Sequence, residues 1–281
     1  DFLRRLRQFT NGLKPEFFLV GETLHGDYNQ WVNDQMLHSC TNYECYKGLY
    51  SSLNSMNLFE IVHSLKRQFG PENWTLYKGK HLLCFCDNHD VTRVASILQE
   101  PRHLPLIYGL MFGMPGIPCL YYGSEWGQLG EKGTGYLADI DLRPAIAAPS
   151  AEALSAPATG WEGGCGPNEL TTLINRLNHV RRSSRALCHG DYRNVVITNR
   201  QLLFERSAGA DGDAPAECVL VAINAEDVPF TFSDSSLRGT FEVLIACGTE
   251  DAVATAQTGT KALKLDGMLE IPPFSVIYLR K

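Results

Sequence analysis

The spacing of hydrophobic positions changes along the chain and divides it into two parts. From residue 1 to 187, short apolar runs alternate with stretches in which apolar residues recur every three or four positions. That alternation predicts strands followed by helices, and therefore parallel βα units. From residue 188 to 281, short segments of alternating apolar and polar residues are separated by polar or glycine-containing turns. This second pattern predicts an all-β domain, a sandwich.

Individual elements follow from the same pattern. Apolar runs predict strands over residues 17–20, 82–86 and 117–122, with a further short strand at 44–49. The run at 17–20 is expected to be buried on both faces, as in a parallel sheet. Helical spacing predicts helices over residues 2–13, 57–69, 104–114 and 170–187. Strands of the second part are predicted at 194–198, 201–206, 218–224, 230–232, 241–245 and 271–279, and residues 145–167 are predicted to form a long surface loop.

Composition narrows the classes of function. The net charge of −6 argues against a nucleic-acid surface, which is normally basic. No apolar run approaches the roughly 20 residues that cross a membrane, and residues 1–9 do not resemble a signal peptide. The nine cysteines are odd in number and scattered, which predicts buried thiols in the cytoplasm, and we see no metal site among them. A signal peptide upstream of residue 1 stays an open alternative.

Three acidic residues stand where predicted strands end. They are Glu22 in FLVGETLHGDY, Asp90 in FCDNHDVTR and Glu125 in YYGSEWG. In a β/α barrel, catalytic groups lie at the carboxyl ends of the strands. Each of the three carboxylates is therefore a candidate for acid/base catalysis. Taken singly, each is weak evidence, because surface Asp and Glu residues are common.

Together the motifs carry a resemblance. FLVGETLH, FCDNHDVTR and GMPGIPCLYYGSEWG resemble, in order and spacing, three successive motifs of the alpha-amylase family of glycoside hydrolases. CYKGLYSSLN and YYGSEWG are similar to neopullulanase-like and maltodextrin-acting members. The resemblance implies an α/β fold: the C-terminal half of a (β/α)8 TIM barrel over residues 1–187, with barrel strands 5 to 8, followed by a β-sandwich over residues 188–281.

The resemblance also implies roles for three residues. Glu22 matches the general acid, which protonates the departing glycosidic oxygen and then activates water. Asp90 matches the carboxylate that stabilises the oxocarbenium-like transition state, and His89 would donate hydrogen bonds to the same sugar. An alternative for His89 is a cap on the strand end.

Four further residues lie near these motifs. His25 could contact sugar on the acceptor side of the cleft, or be a structural or exposed histidine. Asp141 and Arg143 could contact sugar on the donor side, or simply pair with each other. Glu125 is interpreted as structural, stabilising the loops at the carboxyl ends of the strands.

One catalytic group is not found in the sequence. A retaining enzyme needs a second carboxylate about 5 Å from the acid, and the family's nucleophile is an aspartate two residues after an arginine, before the strand of Glu22. Because only residues 1–13 precede that strand, we expect this chain to lack the nucleophile and the first barrel half, and to be inactive alone. About four strands would leave two open edges, which predicts marginal stability, self-association or pairing with the missing half.

The predicted function is therefore a retaining alpha-amylase-type hydrolase that acts on alpha-linked glucans or maltooligosaccharides, present as a fragment. We expect no cofactor for the chemistry; calcium in the full-length protein would be structural. A non-catalytic carbohydrate-binding protein on a truncated barrel is the alternative. A third interpretation, a sugar-binding sandwich, lacks an obvious aromatic platform.

Overall fold

The computed structural model describes residues 1–145, 148, 151, 160, 166–248 and 262–281. Most of the predicted loop at 145–167 therefore lies outside the described residues. Across the described part of the chain, no helix has the length and apolar character needed to span a membrane. The eight cysteines that the structure describes are free, four of them fully buried.

Four short parallel strands form the first part of the fold. Strands β1 and β2 pair in parallel, β3 and β4 pair in parallel, and a single parallel bridge between Thr41 and Leu83 joins the two pairs. The spatial order thus follows the chain order, as expected of βα units. These strands are β1 (Val20–Gly21), β2 (Ser39–Cys40), β3 (Leu83–Phe85) and β4 (Ile117–Cys119).

Seven helices accompany these strands in the described residues. The four predicted helices are present, but the last is divided at Ser183–Ser184, because the Ser184 side chain accepts a hydrogen bond from the Leu187 amide and begins a new helix. The helices are α1 (Phe2–Leu13), α2 (Tyr43–Asn54), α3 (Phe59–Phe69), α4 (Val94–Ile97), α5 (Leu104–Gly113), α6 (Glu169–Arg182) and α7 (Arg185–His189).

The strand predicted at 44–49 is wrong, because these residues belong to helix α2. The Asn42 side chain accepts a hydrogen bond from the Cys45 amide at 3.1 Å and caps the helix. Cys45, Leu49 and Leu53 are buried at four-residue spacing, which is one face of a helix.

The expectation that the first strand is buried on both faces is also wrong. Phe17, Phe18 and Val20 are 43%, 49% and 46% exposed. In the described part of the chain β1 pairs only with β2, so it is an edge strand with little packed against it.

The C-terminal part is all β, as predicted, and its strands form one antiparallel sheet in the order β5-β6-β7-β10-β8-β9. The predicted strands at 230–232 and 241–245 are both in β8, which shifts register against β9 between Ser233 and Arg238. The predicted strand at 271–279 instead spans the end of β9 and most of β10. The strands are β5 (Asp191–Ile197), β6 (Gln201–Ala208), β7 (Glu217–Asn224), β8 (Phe230–Cys247), β9 (Ala262–Ile271) and β10 (Ser275–Arg280).

This sheet covers a second hydrophobic core on one face and packs on helices with the other. Phe232, Leu269 and Leu279 belong to the second core. On the helix side, the Tyr278 hydroxyl donates a hydrogen bond to the Gly109 carbonyl of α5. The predicted boundary between residues 187 and 188 falls inside α7, and the division into two domains stays a prediction.

Candidate active site

The ends of β1 and β3 bring three of the predicted residues together. Glu22 directly follows β1, and His89 and Asp90 lie in the loop after β3. One carboxylate or imidazole atom from each of the three lies within 4.8 Å of the other two. Glu22 and His89 line a cavity of about 280 Å³ whose walls also include Tyr121. Residues 67 positions apart in sequence therefore meet at the carboxyl edge of the parallel strands.

Buried hydrogen bonds fold the loop that carries His89 and Asp90. The Asp87 carboxylate accepts hydrogen bonds from the Val94 amide at 2.9 Å and from the Ser124 hydroxyl at 2.7 Å. Burial raises the pKa of Asp87, and these two hydrogen bonds oppose that shift. Within the loop, Asn88 Oδ1 accepts from the Asp90 amide at 2.8 Å, which is an Asx turn.

Asp90 is contacted by its neighbour His89 and by two cationic side chains from the loop after β4. Its Oδ2 lies 3.3 Å from Nε2 of His89, and its Oδ1 accepts a hydrogen bond of 2.6 Å from Nη2 of Arg143. Nζ of Lys132 donates to the Asp90 backbone carbonyl at 2.7 Å. Charge-assisted hydrogen bonds of this kind fix the orientation of a carboxylate as well as its charge.

Arg143 lies at the site, but its predicted neighbour Asp141 is not its partner. The alternative that Asp141 and Arg143 pair with each other is wrong, because Arg143 pairs with Asp90 and, at 3.3 Å, with Asp139. Asp139 also lies 3.3 Å from Nζ of Lys132. The Asp141 side chain is exposed, and its contact with sugar stays a prediction.

Glu22 has a partner that the sequence did not indicate. Its Oε1 accepts a hydrogen bond of 2.9 Å from the Tyr43 hydroxyl at the start of α2. The sequence did not indicate Tyr43 because a strand was predicted directly after it, at residues 44–49, where the structure has helix α2. The signal that could have found it is Asn42, a helix-capping residue followed by apolar residues at helical spacing.

His25 and Glu125 lie outside the group around Glu22. His25 is exposed in the loop after β1 and does not line the 280 Å³ cavity, so its contact with sugar stays a prediction. Glu125 is partly buried, and its backbone carbonyl accepts a hydrogen bond of 3.0 Å from Thr171 of α6. Because that contact uses the backbone alone, the structural interpretation of the Glu125 side chain stays a prediction.

Glu22, His89 and Asp90 are also the only group of three metal-ligating side chains at this spacing among the described residues. Arg143 already pairs with the Asp90 carboxylate, and this contact reduces the need for a bound cation. The arrangement suits a group that donates and accepts hydrogen bonds around a sugar ring.

Comparison with known proteins identifies the family. A family model described as the alpha-amylase catalytic domain matches residues 1–186. The chain belongs to the alpha-amylase family. It is 23% identical over 274 residues to a cyclomaltodextrinase of Geobacillus thermopakistaniensis, covering 92% of this chain and 40% of that protein. It is 26% identical over 250 residues to alpha-amylase 3 of Dictyoglomus thermophilum, covering 80% of this chain and 46% of that protein.

Solved structures of the alpha-amylase family share the fold. An Anoxybacillus alpha-amylase superposes with a TM-score of 0.72 at 19% identity, over 99% of this chain and 55% of that one. The chain spans less than half the length of the two curated relatives described here. At this identity the likeness concerns the fold alone.

Proposed function

We propose that this chain contributes the general acid/base Glu22 and the transition-state carboxylate Asp90 to a glycoside hydrolase that acts on alpha-glucans by the retaining mechanism. The observation that carries the proposal is the convergence of Glu22, His89 and Asp90 within 4.8 Å at one edge of the parallel strands. A proton donor next to a fixed carboxylate and a hydrogen-bond donor supplies every group of the retaining site except the nucleophile.

The substrate proposed is an alpha-linked oligosaccharide of glucose. The relatives in the comparison are named for cyclomaltodextrin and starch substrates. His89 and Arg143 offer hydrogen-bond donors beside Asp90, and the exposed Glu22 carboxyl can be reached from the cavity. This supports a neutral, hydroxyl-rich ligand.

The nucleophile is proposed to come from residues outside this chain. No aspartate in the 281 residues follows an arginine by two positions. We propose further that β1 to β4 are the second half of a (β/α)8 barrel, whose edge strands β1 and β4 pair with strands from another segment or a second copy. Unpaired strand edges are prone to such pairing. The isolated 281-residue chain then has no hydrolase activity.

The test uses the intact gene product that contains these residues. We expect Glu22→Gln to lower kcat/KM for maltotriose and cyclomaltodextrin by a factor on the order of 10²–10⁴. Glu16→Gln is the matched control, because Glu16 is also exposed but precedes β1. Product anomers followed by NMR report the retaining mechanism.

Two results would overturn parts of the proposal. Equal activity of Glu22→Gln and Glu16→Gln would remove Glu22 from the chemistry. Turnover by the isolated 281-residue chain that is lost on Glu22→Gln would show that the nucleophile lies within it. Maltotriose binding by the intact product without any turnover would instead favour the carbohydrate-binding alternative.

A further inference from the structure

Tyr43 connects the two loops that carry Glu22 and Asp90. Its hydroxyl donates a hydrogen bond of 2.9 Å to Oε1 of Glu22. The same hydroxyl accepts a hydrogen bond of 3.0 Å from Nδ2 of Asn88. Asn88 in turn accepts from the Asp90 amide through Oδ1 at 2.8 Å. A continuous series of hydrogen bonds therefore runs from the Asp90 backbone to the Glu22 carboxylate.

The direction of these bonds is determined at Asn88. An amide side chain has one accepting and one donating end, and the Asp90 amide occupies the accepting end. The donating end must then face Tyr43, whose single proton is left for Glu22. The donor and the acceptor of each hydrogen bond in the series are therefore determined.

Packing fixes the Tyr43 ring that carries this hydroxyl. The ring lies edge-on to Phe85 of β3, with centroids 5.0 Å apart, and edge-on to Tyr46 one turn along α2 at 6.0 Å. Burial is the main cause that raises the pKa of Tyr43, so the hydroxyl keeps its proton at neutral pH. A rigid, protonated donor can orient a carboxylate that is itself exposed.

We propose that Tyr43 is a positioning residue, which holds the Glu22 carboxyl toward the scissile bond and couples its orientation to the Asp90 loop. This rests on the proposed function of Glu22. The Tyr43 hydrogen bond restrains the exposed carboxyl in one orientation. Loss of the bond lets the carboxyl turn away from the scissile bond, which lowers kcat without a matching rise in KM.

The experiment compares Tyr43→Phe with Tyr46→Phe in the intact gene product. Both residues are on α2 and contact Phe85, but Tyr46 has no hydrogen bond to Glu22 in the described contacts. We expect Tyr43→Phe to lower kcat roughly tenfold, about 1.4 kcal/mol, with KM nearly unchanged. Tyr46→Phe should leave both kcat and KM unchanged.

Asn88→Asp provides a second test of the series. The new carboxylate can still accept from the Asp90 amide, but it cannot donate to Tyr43 and instead competes with Glu22 for the Tyr43 proton. We expect Asn88→Asp to lower kcat in the wild-type background and to have a smaller effect in the Tyr43→Phe background. Such non-additivity is the signature of residues that act through one another.

An NMR measurement tests the role of Tyr43 without enzymatic turnover. The carboxyl ¹³C resonance of Glu22 at neutral pH should shift in Tyr43→Phe and not in Tyr46→Phe. If Glu22→Gln removes activity while Tyr43→Phe matches Tyr46→Phe in kcat, KM and ¹³C shift, this inference is wrong and the proposed function stands. If Glu22→Gln retains full activity, the proposed function fails, and the ¹³C shift alone decides whether Tyr43 orients the carboxylate.

Discussion

Arg143 donates a hydrogen bond of 2.6 Å to Asp90, although 53 residues separate them and they follow different strands. A second hydrogen bond from Arg143, 3.0 Å long, reaches the His89 carbonyl. The loop after β4 thereby fixes the loop after β3. This contact joins the loop after β4 to the second sequence motif and makes both part of one site.

Removal of Arg143 should impair activity more than stability. We expect Arg143→Ala to lower kcat/KM on maltotriose by about one to two orders of magnitude, because the lost bonds join charged groups. The pair is partly exposed, so the free energy of unfolding should change by less than about 1 kcal/mol. Arg102→Ala is the control, since Arg102 pairs with Glu100 on the surface. An unchanged kcat/KM would remove Arg143 from the site.

Arg93 is expected to be essential for the loop that carries Arg143. Its buried guanidinium donates to the Tyr122 carbonyl at 2.5 Å, to the Ser124 hydroxyl at 3.1 Å and to the Leu142 carbonyl at 2.8 Å. A lysine has one ammonium and cannot span these acceptors. Arg93→Lys should therefore lower the free energy of unfolding by about 2–4 kcal/mol in urea denaturation. Arg4→Lys, at an exposed position, should have almost no effect. Equal urea denaturation midpoints of Arg93→Lys and Arg4→Lys would contradict the role of Arg93.

Helix α5 approaches the C-terminal sheet too closely for an added methyl group. A Cβ at Gly109 would lie 2.8 Å from a methyl carbon of Val276, whereas one at Gly12 of α1 would have no neighbour within 4 Å. Gly109→Ala should destabilise the protein by about 1–3 kcal/mol. Gly12→Ala should be neutral or stabilise it by about 0.5–1 kcal/mol. Denaturation midpoints of the two variants test this, and a stable Gly109→Ala protein would refute it.

His103 should make stability depend on pH at the contact between the two parts. It is buried, and its Nε2 lies 2.9 Å from the Ala225 carbonyl that follows β7. Burial lowers the pKa of His103 in the folded protein, so the unfolded chain binds a proton more readily. Stability is therefore complete above the ordinary pKa of about 6.5 and falls as pH drops below it.

The measurement is the loss of melting temperature between pH 7.5 and pH 5.5. We expect a smaller loss in His103→Gln than in the wild type, because the glutamine has no proton to gain in this range. His63→Gln, at an exposed position of α3, should behave as the wild type. Identical losses in all three proteins would contradict the assignment.

Glu22 and Asp90 could be predicted because the pattern that indicates them lies in the few residues before each. Glu22 and Asp90 each follow an apolar run, and parallel strands bring their carboxyl ends to one edge whatever the details of packing. The exposure of Phe17 and Phe18 could not be predicted in this way. An apolar run reports a preference for burial, but burial also requires a neighbouring element to cover it.

Tyr43 and Asp139 could not be predicted from the sequence for a different reason. Tyr43 lies in a segment whose short apolar pattern suits either a strand or a helix, and only the capping Asn42 distinguishes them. Asp139 and Asp141 are both near Arg143 in sequence. The 3₁₀ turn at Ile140–Leu142 brings Asp139, four residues before Arg143, into contact with it. Loop conformation of this kind depends on contacts such as the one from Arg93 to Leu142.

The charges around Asp90 nearly cancel, which has a consequence for how a ligand arrives. The carboxylates of Glu22, Asp90 and Asp139 stand near the cations Lys132 and Arg143. A cluster with a small net charge projects little field into solvent, and a neutral sugar carries no charge for such a field to steer. Capture of a sugar should then proceed at a rate set by diffusion and orientation, almost independent of ionic strength.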